Sequence, residues 1–329
     1  MMRIGILGGA EIAYRMFIPA LNEIEDIECA GVASNNIEKR EMFKKKYGIE
    51  TYTSYEEIIN DKSIDSVYIP LPPALHYKYA KMALEKGKHV FLEKPSTINY
   101  KLSSELVDIA NKKDLVLQEN YMFQYHSQIQ EIKRIMYSGE IGKIRLIKSS
   151  FGFPKRSEND FRYNKNLGGG ALMDVGGYVT KLATLLLGNS IKVCNAEMQL
   201  DSEYEVDILD SVTFSNENGL SFQGSFGMDC YYQCSLEVWG SKGKLFTNRI
   251  FTAPPGFVPT VILEDKDGKR IIELKADNHF KNSIEQFCKA VIYKKDRISM
   301  KEDLLLQSKL IEEIREKMIS SMEEKNEQN

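Results

Sequence analysis

The stretch "RIGILGGAEIA" (residues 3–13) decides the fold. Residues 3–8 read as a short apolar strand, Gly8, Gly9 and Ala10 as a tight turn, and residues 11–22 as a helix. Gly8, Ala10 and Ala13 stand at the three special positions of a dinucleotide-binding turn. The first permits the turn, the second lets backbone N–H groups approach a pyrophosphate, and the third lets helix pack on strand. Alanine keeps the last two positions small but departs from an all-glycine pattern. Gly-rich turns of this kind also serve purely structural ends. The strand–turn–helix–strand context at the start of the chain is the one that phosphate binding needs. Gly8, Gly9, Ala10, Glu11 and Ile12 are therefore candidate cofactor contacts.

The next strand, "IECAGVA" (27–33), ends where an acid would hold the ribose of NAD. Ser34, Asn35 and Asn36 stand there instead, with Lys39 and Arg40 one turn on. A hydroxyl, amides and cations suit a 2′-phosphate, so NADP(H) is preferred, with NAD(H) the alternative. Ser34, Asn35 and Lys39 join the cofactor set, although Lys39 and Arg40 also fit a plain solvated helix face.

Outward from this unit, strands at 64–70, 89–93 and 115–119 alternate with helices at 74–87 and 99–112. Ser54 and Glu57 have capping-box spacing and start a short helix. Alternation at these lengths predicts a parallel, doubly wound sheet, an N-terminal Rossmann domain over residues 1–122. Beyond it the pattern changes. Helix 127–138 and strand 143–153 precede a long apolar helix at 169–187, then strand follows strand to residue 275, and helices at 277–294 and 300–322 close the chain. This predicts an α+β domain with a large, mostly antiparallel sheet over residues 123–329, for substrate binding and oligomerisation, in an α/β protein overall. Val212, Phe214, Phe222 and Phe226 alternate along its strands. One set must face the helices; a second apolar face would make a homodimer or homotetramer. The polar tail "EEKNEQN" is expected to fray.

Composition excludes several classes. The 329 residues carry a formal net charge of −3, against a nucleic-acid or membrane-surface partner. The sequence has no apolar run near the ~18 residues needed to span a bilayer, and its first residues lack a secretory pattern, so a cytoplasmic protein is expected. Five scattered cysteines fit reduced thiols. Four histidines without ligand spacing call for no metal.

Two further stretches carry chemistry. "KHVFLEKPST" (88–97) is a strand ending on Glu93, Lys94 and Pro95, at the sheet edge where ligands of parallel sheets bind. Leu71 and Pro72 follow the neighbouring strand. Leu71, Pro72, His76, Glu93, Lys94 and Pro95 complete the cofactor set. On its own, Lys94 fits equally a group that polarises a carbonyl and a surface lysine paired with Glu93. "LGGGALMDVGGYVTKLA" (167–183) opens a helix on which Asp174 and Tyr178, four apart, share a face. Tyr178 and Asp174 read as catalytic members of a proton-relay group with a lysine, Asp174 orienting the pair, or as a core aromatic and a helix-surface acid. Just before it, Lys155, Arg156, Arg162 and Lys165 lie among Phe151, Phe153, Phe161 and Tyr163. They suit the diphosphate and sugar of a nucleotide sugar, or form an exposed basic loop. Arg156, Phe161 and Arg162 are the substrate candidates, with Lys94 and Tyr178.

Together "IGILGGAEIA", "VYIPLPPALHYKYAKMALEKGKHVFLEKP" and "GGGALMDVGGY" resemble the Gfo/Idh/MocA family of NAD(P)-dependent oxidoreductases. The resemblance covers nearly the whole chain. It implies that Lys94 is the catalytic lysine, that a cis peptide often precedes Pro95, and that Asp174 and Tyr178 lie on the substrate-facing helix. Tyrosine at position 178, where inositol-dehydrogenase-like members carry histidine, looks like the glucose–fructose oxidoreductase and sugar ketoreductase branches. "FGFPKRSENDFRYNKNLGGGALMDVGGY" and "GKLFTNRIFTAPPG" look like nucleotide-sugar 3-ketoreductases, which reduce the C-3 ketone of a dTDP-linked hexose. The expected activity is hydride transfer to that ketone. The alternatives are an NADP-dependent dehydrogenase of free sugars or dihydrodiols, and a cofactor-binding regulator without turnover.

Overall fold

β1 (Met2–Leu7) is the centre of the first sheet, and its Ile4, Ile6 and Leu7 are fully buried. The computed structural model of the chain describes residues 1–327, with side chains through Glu324. The chain continues through a π-helical turn (Ala13–Phe17) into α1 (Ile18–Leu21), then β2 (Ile27–Ala33), α2 (Ile37–Tyr47), β3 (Thr51–Tyr52) and α3 (Tyr55–Asn60). β4 (Ser66–Ile69), α4 (Pro73–Glu85), β5 (His89–Glu93), α5 (Tyr100–Lys112) and β6 (Leu117–Asn120) complete the series. The strands pair in the order β3-β2-β1-β4-β5-β6, all parallel. Every residue of β4 and β6 is buried, the signature of a sheet covered on both faces. The helices start as their sequences dictate: Ser54 Oγ accepts from Glu57 N–H at 3.3 Å, and Asn36 and Asn99 cap α2 and α5 in the same way. β3, only two residues long, has no signal in the sequence.

The chain divides into two compact units. Unit 1 is Met1–Asn120 together with Phe280–Ser308; unit 2 is Tyr121–His279 and the chain from Lys309. The expected single boundary at 122/123 misses this return. Most of α8 (His279–Tyr293) belongs to unit 1: Phe287 packs on Phe91 with ring centroids 5.1 Å apart. Ser283 Oγ donates to Asn120 Oδ1 at 2.8 Å and accepts from Gln118 Nε2 at 3.2 Å. Arg297 closes α8, donating to the carbonyls of Ala290 and Val291 and pairing with Asp114 at 2.9 Å. An amphipathic helix shows which of its faces is buried but not which unit buries it.

Within unit 2, α6 (Ser127–Tyr137) and β7 (Ile144–Gly152) precede a π-helical turn (Leu172–Gly176) and α7 (Gly177–Leu187). Then come β8 (Lys192–Leu200), β9 (Asp207–Ser215), β10 (Ser221–Gly227), β11 (Gln233–Gly240), β12 (Gly243–Asn248), β13 (Thr260–Asp265) and β14 (Gly268–Glu273). The sheet order is β14-β13-β12-β11-β7-β10-β9-β8, with only β7 and β10 parallel. Val212, Phe214, Phe222 and Phe226 face inward and are buried. A side chain at Gly224 would strike Val179 of α7, and one at Gly176 would strike Phe226. In the helical run Lys165–Leu187, 94% of the most apolar 18-residue window is buried, so its apolar surface is used within the protein's own core. α9 (Arg297–Glu327) ends the described chain, and the last two residues of the tail lie outside it.

Candidate active site

Unit 1 assembles the expected cofactor turn. Gly8 has φ +119°, which favours glycine, and Leu71 Cδ2 lies 2.7 Å from where its Cβ would stand. Gly9 has the Lys39 stem 3.1 Å and Ser34 Oγ 3.3 Å from where its Cβ would stand. Gly9, Ser34 and Lys39, distant in sequence, therefore meet. Arg40 donates to the Ser34 carbonyl, which turns its guanidinium back to the β2 end. Glu11 is exposed and pairs with Arg15. A small backbone cradle at a helix start, with a hydroxyl and two cations, and with no acid at positions 34–36 after β2, fits a dinucleotide carrying a 2′-phosphate.

The end of β5 is tightly tied. Glu93 is buried, and its Oε1 accepts from Tyr68 Oη at 2.8 Å and Asn120 Nδ2 at 2.7 Å. Burial pushes its carboxyl above the ordinary range, and those two donors oppose the shift. The Lys94–Pro95 peptide is cis. Just beyond it, Ser96 N–H donates to Glu119 Oε1 at 2.6 Å. Ser96 and Thr97 hydroxyls both meet Ser103 Oγ, at 3.0 and 2.8 Å, and Ser308 Oγ reaches the same atom at 3.0 Å. Lys94 thus leaves a backbone anchored on either side, which lowers the entropic cost of holding its ammonium in one place. Glu119 and Ser103 had no motif to mark them. His76 departs from the expected cofactor contact: it is fully buried, and both ring nitrogens face backbone carbonyls.

In unit 2, Tyr178 is buried in an aromatic cage. Tyr121, Phe123, Phe151 and Phe251 surround it at centroid distances of 5.3, 5.8, 5.2 and 5.8 Å. Its hydroxyl donates to Met122 Sδ at 3.6 Å, a weak acceptor. Gly177 is obligatory beside it, since a Cβ would lie 1.9 Å from Tyr121 Oη. Asp174 sits in the π-helical turn, about one turn before Tyr178 on the same helical run.

Asp174 has a different partner. Arg162 Nε donates to Asp174 Oδ2 at 2.6 Å, and its Nη1 to Asp160 Oδ1 at 3.0 Å. The two carboxylates hold the guanidinium above its ordinary pKa against the opposing effect of burial. Arg162 was expected on a substrate diphosphate, but its charge is already matched by two acids. A nearly buried carboxylate requires such a partner. Arg162 also lies over the Phe161 ring at 4.7 Å, and Arg156 over Phe153 at 5.2 Å. Of the other loop cations, Lys165 pairs with exposed Glu205 at 3.7 Å, and Lys155 lies 5.8 Å from the Tyr204 ring. Asp207, unmarked in the sequence, accepts from Leu172 N–H at 2.5 Å and fills the space that Gly170 leaves, fixing the start of the helical run. All five cysteines are unpaired, and among the described residues no cluster of three His, Cys, Asp or Glu side chains is arranged for a metal ion.

Two family descriptions match the chain: "Oxidoreductase family, NAD-binding Rossmann fold" over residues 2–121, and "GFO/IDH/MocA C-terminal domain" over residues 129–246. The chain belongs to the Gfo/Idh/MocA oxidoreductase family. This Gfo/Idh/MocA chain is 33% identical to a dTDP-3,4-didehydro-2,6-dideoxy-alpha-D-glucose 3-reductase of Actinomadura kijaniata, over 95% of both chains. A relative of the same name from Streptomyces violaceoruber is 36% identical, over 88% of this chain and 85% of its own. A solved structure of a 3-ketoreductase from Actinomadura kijaniata, in complex with NADP and TDP-benzene, superposes with a TM-score of 0.93 at 33% identity, covering 95% of this chain and 97% of its own. Further structures of that ketoreductase carry single replacements of a lysine and of a tyrosine. Those two residues are spaced in its sequence as Lys94 and Tyr178 are in this one.

Proposed function

We propose that this oxidoreductase is an NADPH-dependent reductase of the C-3 ketone of a nucleotide-linked deoxyhexose. The observation that carries the reading is Lys94 and Tyr178 in one chain that is similar over 95% of its length to dTDP-sugar 3-reductases. A bound nicotinamide supplies the hydride. Gly8, Gly9, Ser34 and Lys39 hold the dinucleotide. Lys94 stabilises the oxyanion that forms at the carbonyl and eases ionisation of Tyr178, and Tyr178 returns a proton to that oxygen. Asp174 acts through Arg162, fixing the loop before the substrate helix. Arg156 is the cation of that loop that we assign to the diphosphate, with Phe161 beside the sugar.

The test is reduction of a dTDP-linked 3-keto-deoxyhexose against a panel of free aldoses and dihydrodiols. Turnover of the nucleotide-linked ketone alone supports the reading; turnover of glucose or xylose with NADP, and none of the nucleotide sugar, replaces it with the dehydrogenase. Tyr178→Phe is expected to lower kcat on the order of 10²-fold, the usual worth of a positioned acid. A near wild-type kcat removes Tyr178 from proton transfer and leaves Lys94 as the donor.

Ser34 and Lys39 give the cofactor expectation. KM for NADPH should lie at least about tenfold below that for NADH, the worth of one good charge-assisted contact. Equal values would return NAD(H) to an even footing. We further infer a cytoplasmic enzyme, from its unpaired thiols, and a homodimer or homotetramer built on the open sheet face. Trp239 and Ile271 are exposed on strands of that sheet, 43% and 64%.

A further inference from the structure

The ring of His76, buried on α4, spans two loops of unit 1. Nδ1 lies 2.8 Å from the Pro95 carbonyl oxygen, and Nε2 lies 2.7 Å from that of Leu71. Each carbonyl belongs to a segment with its own task. The Leu71 side chain packs on the glycine turn at Gly8. Pro95 directly follows Lys94.

Both carbonyls accept, and a neutral imidazole has one N–H to give. Burial, aided by the Lys94 ammonium, lowers the ring to about 4, although the backbone of Pro95, Leu71 and, more weakly, Ser96 pulls the other way. Near neutrality one proton therefore serves two acceptors. Were the ring only filling space, a single contact, or an apolar side chain, would do as well.

We propose that His76 is a positioning residue shared by two loops: through Leu71 it holds the cofactor turn, and through Pro95 it holds Lys94 in its working place. The inference rests on the reductase reading above. The two outputs are separable by shape. An asparagine amide nitrogen reaches about where Nδ1 stands, and a glutamine amide nitrogen about where Nε2 stands. His76→Asn thus keeps the donor to Pro95, and His76→Gln the donor to Leu71.

The expected result is a crossed pattern. His76→Asn raises Kd and KM for NADPH about tenfold and leaves kcat within a factor of about three. His76→Gln leaves the NADPH Kd in place and lowers kcat about tenfold. One lost hydrogen bond is worth roughly this much. Equal losses of both parameters in both variants, the reverse pattern, or no change in either overturns the inference. Nitrogen NMR of histidine-labelled wild-type protein makes the same test without a substitution. At least one His76 ring N–H protected from exchange with water is expected, and ring protons exchanging as fast as those of a free imidazole overturn the contacts. Should the wild type reduce no nucleotide-linked ketone, the reductase reading fails by itself, while NADPH affinity and the NMR exchange still decide the role of His76.

Discussion

Lys94→Ala is expected to lower kcat by roughly 10³–10⁴-fold, the combined worth of an oxyanion-stabilising donor and assistance to proton transfer. NADPH affinity should change by no more than a factor of about three. The split follows from how the lysine is held. Its neighbours are fixed by the Glu93 network on one side and by the Glu119 bond to Ser96 on the other. Removing the side chain therefore leaves the backbone, and the cofactor turn near it, in place. Lys94→Arg retains charge but not the compact ammonium, and should recover only part of the rate. Steady-state kinetics with a cofactor titration gives both numbers. A fall in kcat below tenfold, or a parallel loss of NADPH binding, would show that Lys94 anchors the cofactor and leaves the reacting carbonyl to other groups.

Arg162→Met should destabilise the protein by roughly 3 kcal/mol, the lower end for breaking a buried ion pair because Arg162 keeps some contact with water. The Asp174 side chain is only 8% exposed, and Arg162 meets it at 2.6 Å. With the guanidinium gone, a nearly buried carboxylate loses the cation that meets it at 2.6 Å. A unit of this size should then melt roughly 6–12 °C lower. Adding Asp174→Asn to Arg162→Met removes the buried negative charge and should restore part of the loss, a coupling that a double-mutant cycle measures. If Arg162 instead holds a substrate diphosphate, Arg162→Met will raise KM for the nucleotide sugar and leave the melting temperature where it was. The kinetic and thermal readouts thus separate a strut from a ligand.

The parts legible in the sequence were those whose chemistry is local. The glycine turn, the Ser54 cap and the strand-end lysine each announce themselves within a few residues, because turn geometry and capping are set by neighbours. The distinction between units was less legible, since residues 280–308 read simply as a helix and the start of another. The partner of Arg162 was not legible at all. A basic loop with aromatics looks alike whether its cations await a phosphate or already face acids, and Asp160 carries no motif. The π-helical turn at Leu172–Gly176 was hidden for a related reason. Gly176 packs under Phe226 and Asp207 holds the Leu172 N–H, and neither contact is marked in the sequence. His76 is a further case: two backbone carbonyls hold its ring, and no pattern in the sequence marks them.

The return of residues 280–308 to unit 1 bears on how the protein is made. A ribosome releases the six parallel strands first, yet Phe287 for Phe91 and Ser283 for Gln118 and Asn120 emerge only after more than a hundred further residues. Until then the nascent Rossmann sheet has part of an apolar face and a row of polar side chains without cover. Such a chain is a natural client for a chaperone during synthesis, and a gene truncated after residue 120 should give an aggregation-prone product, not a small dinucleotide-binding module.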